Sequence, residues 1–439
     1  MFYKEIFAMK FGVSKTVITP PFPTKLACTG NFTDNFTCVH DDVYARCLVM
    51  NDGTNYAVFV CLDLLFHSRD LNEAVAEYAK DKYNTEKSAV TVTCTHAHTA
   101  PAVKGYNPGH HNDEYEEFLL CRIKECMDYA FSSMFEGTLE YGSKEISLNV
   151  YRRKEVDGKI LSLPNPEAEH DKELFVMVIK DLSGCVRSVF MNYASHPVFY
   201  PELTTISGEF PAKTCSILDE KFGNCISMYC QSACGDVRPS ATVKKDAEKG
   251  LIWNRTLGFD DMNKYAQNLA DEVVSLINGG KLKTTEMCIS STEFSLCLEM
   301  EKLPFEYFEN LYDRYKSLPD NPVTTNCKNI IEGYYDVMPE ELMLYCSVIK
   351  LSEGLYIATM GGEPCYNVKK AVISAFEGKD VCFIGYTDCC AYIVDDVLLD
   401  EGGYEPESFS EYGLAGPFRK GLNKVYYEGF SKAFGVVNK

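Results

Sequence analysis

The sequence predicts an α/β protein of mixed α+β type: one large domain over residues 1–439, with a central sheet flanked by helices and polar chemistry at the strand ends. Strand-like apolar runs alternate with amphipathic helical segments, the pattern of a substantial mixed sheet. No repeat, low-complexity tract or Pro/Gly-rich linker divides the chain. Short segments rich in polar residues, carrying histidine, aspartate or glutamate, follow four of the strands.

Residues 44–50 and 56–62 read as strands joined by Asn51-Asp52-Gly53, residue types that suit a tight turn. A helix over 71–82 and a strand over 89–94 follow. Residues 113–134 have helical spacing, with Asn112 as N-cap and carboxylates in the first turn. Strands at 174–180 and 186–193 flank Ser183-Gly184. Then come a helix at 212–221, a strand at 225–230 and a helix at 260–278 that Gly279-Gly280 stops. Residues 303–345 are less regular, with a helix over 304–316 and then a proline-containing loop. The alternation resumes with a strand at 355–360, a helix at 367–376 and a strand at 381–386.

An apolar fraction of 46% with 13% aromatic residues is ample for a core and excludes disorder. The balance of 43 Lys+Arg against 63 Asp+Glu leaves a net charge of −20, which phosphate backbones and anionic lipid repel. Nucleic-acid binding and stable membrane association are therefore not expected. No apolar stretch approaches the roughly 18 residues of a membrane span. Met1-Phe2-Tyr3-Lys4-Glu5-Ile6 lacks the apolar core of a signal peptide, so the expected compartment is the cytoplasm. The 20 cysteines include no C-x-x-C pair, which argues against zinc ribbons and dithiol redox motifs. Many lie in apolar runs such as Val60-Cys61-Leu62, where Cys acts as a small hydrophobe, and free thiols suit a reducing cytosol.

The chemistry gathers at four strand ends: Thr95-His96-Ala97-His98, Ala194-Ser195-His196-Pro197, the stretch from Gln231 to Pro239 containing Gly235-Asp236-Val237-Arg238, and Gly361-Gly362-Glu363-Pro364. On extended chain, His96 and His98 share one face. Ligands of α/β sheets collect outside the carboxyl ends of strands. Two histidines and a glutamate from separate strand ends would form a three-ligand zinc site with an open position for water, the arrangement of catalytic zinc. Each junction alone is an ordinary turn; together they point to a metal.

The blocks Phe11-Gly12-Val13-Ser14, Val17-Ile18-Thr19-Pro20-Pro21, Tyr44-Ala45-Arg46, Thr95-His96-Ala97-His98, Asn192-Tyr193-Ala194-Ser195-His196-Pro197, Ile206-Ser207-Gly208-Glu209-Phe210-Pro211 and Gly235-Asp236-Val237-Arg238-Pro239 occur in this order. In this the chain resembles the catalytic domain of the neutral/alkaline (non-lysosomal) ceramidase family over essentially its whole length. The resemblance implies zinc held by His96, His196 and Glu363, with Tyr392 as a fourth ligand from its spacing after Glu363. It implies that His98 lies beside the metal-activated water or the oxyanion. Arg152 matches a substrate-contacting arginine, with Arg153 an alternative one residue away, and Gly30 matches a glycine close to the pocket.

The implied activity is a zinc-dependent hydrolase that cleaves an amide bond of a small N-acyl compound by metal-activated water. His98 would hold that water, donate to the oxyanion or protonate the leaving amine. Arg152 or Arg238 would anchor an anionic or polar part of the substrate. The departures also inform. Arg238 stands where the family carries a serine sometimes assigned as nucleophile, and Ser240 comes two residues later. The family's C-terminal immunoglobulin-like domain has no counterpart here, so a small soluble substrate fits better than membrane-embedded ceramide. An esterase on the same metal centre, and a family member that binds zinc or a ligand without turnover, are the alternatives. Cys94 could share a face with the two histidines as a thiol nucleophile, but an inert core thiol suits its apolar strand better. Asp63 could orient a zinc-bound histidine or cap a strand end, and Asp236 has the same ambiguity. His110-His111 read as an exposed approach to a helix, and His40, His67 and His170 have no partner pattern.

Overall fold

The computed structural model describes residues 9–28, 35–104, 110–199, 202–318, 321–388 and 390–439. Its largest sheet runs in the order Met228–Gln231, Val186–Tyr193, Glu173–Asp181, Phe135–Glu145, Lys10–Val17, Tyr44–Asn51, Tyr56–Leu62 and Val90–Cys94, with Lys283–Thr285 beside Phe135–Glu145. Val186–Tyr193 pairs in parallel with Met228–Gln231, as Tyr56–Leu62 does with Val90–Cys94. A second sheet orders Ser290–Glu299, Glu341–Lys350, Leu355–Met360 and Asp380–Ile384, the last two parallel.

The two sheets pack face to face, and each carries helices on its outer side. Leu48, Met50, Phe59, Met177, Ile179 and Phe190 of the first sheet meet Ile349, Ile357 and Ile384 of the second. The alternate residues Cys47, Val49, Val58 and Val60 face Arg69–Tyr83 and Asp113–Ser132, through Val75, Leu119 and Ile123. Further along the sheet, Val176, Val178, Val189 and Met191 lie under Glu209–Phe222 and Phe259–Asn278. The outer face of the second sheet is covered by Tyr366–Ile373 and Leu422–Val437. Strands buried on both faces read as continuous apolar runs, which is why 44–50 and 56–62 were legible as strands although they do not alternate.

The mixed α/β architecture with a large helix-flanked sheet is as expected; the second sheet that covers the helix-free face is the addition. Asn112 caps Asp113–Ser132, its Oδ1 accepting from Glu114 N at 2.9 Å. Three of the differences from the expected bounds have a visible cause. Residues 303–345 contain the helix Pro322–Asn329 where a loop was expected. Pro322 sits in the first turn, where its missing N–H costs nothing, and Asn321 caps it by accepting from Val323 N at 2.9 Å. The strand expected from 225 begins at Met228, because Ser227 N is drawn to Asp219 Oδ1 at 2.6 Å. The strand expected to reach 386 stops at Ile384; Gly385 N turns to Gln231 O, and Tyr386 takes a left-handed backbone with φ of 60°. Among the described residues no helix is long and apolar enough to cross a membrane.

Beyond that turn, burial pushes the Asp388 carboxyl up to about 6 against the pull of Arg69. The stability this gives is fully present below the unfolded value of 3.8 and is lost as pH rises through about 6. Asp388→Asn is therefore expected to exceed wild type at pH 8 by about 1–2 kcal/mol, with no gain at pH 3.5 or below. Thermal melts at the two pH values test this; equal gains at both would refute it.

Candidate metal centre

The carboxyl ends of Val90–Cys94, Val186–Tyr193 and Leu355–Met360 deliver His96, His196 and Glu363 to one buried point. His96 Nε2 lies 3.2 Å from His196 Nε2 and 3.2 Å from Glu363 Oε2. His98 joins them: its ring centroid is 4.7 Å from that of His96 and 5.0 Å from that of His196. The three histidines form a group that could hold a metal ion, with ligand atoms within 4.8 Å of one another.

Backbone carbonyls set the tautomers. His96 Nδ1 faces Leu65 O at 3.1 Å, His98 Nδ1 faces His96 O at 3.1 Å, and His196 Nδ1 faces Cys234 O at 3.3 Å. A carbonyl can only accept, so each Nδ1 carries the proton and each Nε2 carries a lone pair. Burial pushes His98 and His196 well below the ordinary imidazole range, and the charges of Arg152 and Arg238 act the same way. Neutral imidazoles with lone pairs converging are the form that binds metal.

Two lone pairs 3.2 Å apart repel unless a cation lies between them. Ligands of one tetrahedral zinc, at about 2.0–2.1 Å each, are roughly 3.3 Å apart. Glu363 makes the same point. Its Oε1 accepts from Tyr412 Oη at 2.9 Å, while the buried Oε2 has no hydrogen-bond partner among the described residues. A buried carboxylate oxygen with no donor costs free energy that a bound cation would recover. The donor set present therefore fits a divalent metal.

The local backbone is bent to make this point of convergence. His96, Glu209 and Tyr386 all have positive φ, at 67°, 52° and 60°, a conformation that non-glycine residues hold only when their surroundings enforce it. The two histidines share a site through this left-handed turn, and not, as expected, through strand alternation. Glu209, at the start of Glu209–Phe222, accepts from His98 N at 3.1 Å and Phe199 N at 3.3 Å, so one carboxylate joins both histidine loops. Burial pushes it up to about 8. Gln231 joins the same loops through Thr95 O and Ser195 O, each at 3.1 Å. Gly362 has φ of 76°, and a Cβ there would come within 2.7 Å of Ala391 O.

Tyr392 is beside Glu363 in the short parallel ladder of Glu363–Pro364 with Tyr392–Ile393. Its ring lies 5.2 Å from the Arg152 guanidinium, and its phenol is pushed well up by burial. Arg152 Nε donates to Glu405 Oε1 at 2.8 Å. Arg153 turns instead to Glu401, Glu405 and Gly402 O. The Arg152 charge acts on both His98 and His196. Arg238 lies 4.6 Å over the Trp253 ring, and its charge also reaches both histidines.

Several sequence readings change. Asp63 does not orient a histidine: both of its oxygens take Arg46 Nη1 at 2.6 Å, and Oδ2 also accepts from Tyr44 N. Asp236 accepts from Tyr366 N at 3.1 Å and so braces the turn after Glu363. His110 is buried, not exposed, with Nε2 donating to Leu26 O at 3.0 Å. Cys94 is fully buried with its thiol pushed well up by burial, which suits an inert core residue. Gly30 lies outside the described residues. Sequence reasoning gave no role to Tyr386, Glu405 or Tyr412; these reach the site from segments with no regular periodicity, so no local pattern marks them.

No protein-family model matches this sequence. The neutral ceramidase from Pseudomonas aeruginosa superposes with a TM-score of 0.75 at 15% identity, over 98% of this chain and 75% of that one. A second structure, a ceramidase complexed with C2, matches over the same shares with a TM-score of 0.75 and 14% identity. This chain thus has the fold of the neutral ceramidases.

Proposed function

We propose that this protein is a zinc-dependent hydrolase of an amide bond in a small N-acyl compound. The observation that carries the reading is the convergence of His96 Nε2, His196 Nε2 and the unpartnered Glu363 Oε2 within a buried site. A fold shared with an enzyme named for cleaving ceramide supports the choice of an amide. His96, His196 and Glu363 would hold the zinc, with Tyr392 the candidate for a fourth ligand. When bound, zinc would lower the pKa of a coordinated water from about 15.7 to near 7.

The protein's own groups do the rest. Tyr412 and the Glu363–Tyr392 ladder fix the Glu363 carboxylate. Neutral His98, with its proton on Nδ1, offers Nε2 to take a proton from water and return it to the departing amine nitrogen. Arg152, held by Glu405, orients a polar part of the substrate.

His98→Ala is expected to keep stoichiometric zinc and lose about 10²- to 10⁴-fold in kcat, whereas His96→Ala loses the metal. If His98→Ala also loses zinc, the three histidines are the ligand set and His98 is not the proton carrier. A panel of matched amides and esters, run with and without chelator, tests the bond. A protein that binds no divalent metal, or cleaves only the esters, refutes the reading.

A further inference from the structure

We infer that Tyr386 is a positioning residue of the metal centre: it ties together the three turns that carry His96, His196 and Glu363, and so sets the affinity for the metal. This rests on the zinc reading above and adds to it the residue that holds the ligands in register.

Tyr386 comes just after the strand Asp380–Ile384 and is 1% exposed. It meets each ligand-bearing turn with a different group. Its N donates to Gly362 O at 3.1 Å, one residue before Glu363. Its carbonyl accepts from Cys94 N at 3.2 Å, two residues before His96, and its ring centroid lies 4.5 Å from that of the His96 imidazole. Its Oη meets Cys234 Sγ at 2.8 Å, and the carbonyl of the same Cys234 orients His196 through Nδ1. Phe66 packs against both rings, 5.0 Å from His96 and 6.2 Å from Tyr386 between centroids. Gly385 strengthens the junction: its N donates to Gln231 O at 3.0 Å and its carbonyl accepts from Thr93 Oγ1 at 2.9 Å. None of these contacts is a hydrogen bond to a metal-binding atom, so Tyr386 acts through the turns.

The φ of 60° at Tyr386 is strained for a residue with a Cβ, and glycine would adopt it freely. The backbone turn by itself therefore has no use for a tyrosine; the side chain does. A buried phenol needs a partner for its hydroxyl, and here the partner is the residue whose carbonyl fixes the His196 tautomer. Groups that orient metal ligands from outside the ligand set change metal affinity about 10- to 100-fold when they are removed.

Tyr386→Phe keeps the ring beside His96 and removes only the contact with Cys234 Sγ. Zinc affinity, measured by competition with a chromophoric chelator, is expected to fall about 10-fold. Cys234→Ala gives the same loss, Cys234→Ser recovers it, and Tyr386→Phe/Cys234→Ala loses no more than either single variant, because all three remove one contact. Tyr115→Phe is the control for a merely structural role. It removes another buried phenol bond, from Tyr115 Oη to Ile18 O at 2.9 Å, and is expected to lower the thermal midpoint of the metal-free protein while keeping zinc affinity. In metal-free Tyr386→Phe, amide hydrogens of residues 232–236 exchange faster than in wild type. Where Tyr386→Phe does not fold, Cys234→Ala against Cys234→Ser tests the same contact from its other end. Wild-type zinc affinity in Tyr386→Phe, an equal loss in Tyr115→Phe, or losses that add in the double variant overturn the role. A wild type that binds no divalent metal overturns the zinc reading, and faster exchange at 232–236 in the variant then leaves the tie between the turns standing. Unchanged exchange there overturns the tie whether or not zinc binds.

Discussion

On the proposed zinc amidase reading, Glu363→Gln is expected to leave a folded protein that binds no zinc and hydrolyses the amide about 10⁴-fold more slowly or worse. The side-chain oxygen of glutamine can keep the 2.9 Å bond from Tyr412. Its NH₂ then occupies the position of Oε2, 3.2 Å from His96 Nε2. There the amide donates to the imidazole lone pair and satisfies in a neutral way what the cation would satisfy. Glu363→Ala removes the carboxylate without that compensation and leaves Tyr412 Oη without its acceptor, so it loses both zinc and stability. Metal content, kcat/KM and thermal midpoints with and without chelator are the measurements. In wild type, added zinc is expected to raise the midpoint by mass action, and in Glu363→Gln it is not. A Glu363→Gln protein that retains one zinc per chain with full activity removes Glu363 from the metal site.

Arg46→Met costs about 3–5 kcal/mol of stability, the largest effect expected away from the metal. Arg46 Nη1 binds both Asp63 oxygens at 2.6 Å, and both side chains are almost wholly out of solvent. Removing one partner leaves the other charge buried and uncompensated, which costs more than the pair contributes. The double variant Arg46→Met/Asp63→Leu removes both charges and should recover much of the loss. Urea denaturation at neutral pH measures the set. Folded Asp63 variants are expected to keep their zinc, because Asp63 contacts Arg46 and the Tyr44 backbone and no histidine. A loss below about 1 kcal/mol for Arg46→Met would contradict the burial argument.

The Asp63 case shows where sequence reading stops. A carboxylate at the end of an apolar strand is visible in the sequence, but its partner is chosen by the pairing of Tyr44–Asn51 with Tyr56–Leu62, which sets Ala45 opposite Leu62 and so brings Arg46 and Asp63 together. His110 is similar: a polar-looking His-His pair hides a residue buried against Leu26. That His96, His196 and Glu363 carry the chemistry could be anticipated because each follows a recognisable strand, and ligands of α/β sheets gather outside strand carboxyl ends; their meeting depends on how the two sheets pack, since the strand before Glu363 belongs to the second sheet. Tyr386, Glu405 and Tyr412 could not, since they come from turns and short helices that carry no period.

The sequence by itself determined the class of the fold, the strand ends that hold the chemistry and the residue types fit to bind a metal, because these depend on local periodicity and side-chain identity. Only the tertiary structure decided which lone pairs meet. The meeting of His96 with His196, 100 positions apart, the Leu65 and Cys234 carbonyls that orient those two imidazoles from 31 and 38 positions away, and the packing of one sheet on another all join segments that are separate in sequence. They arise from hydrogen bonds and burial between those segments, and no local pattern encodes such a contact.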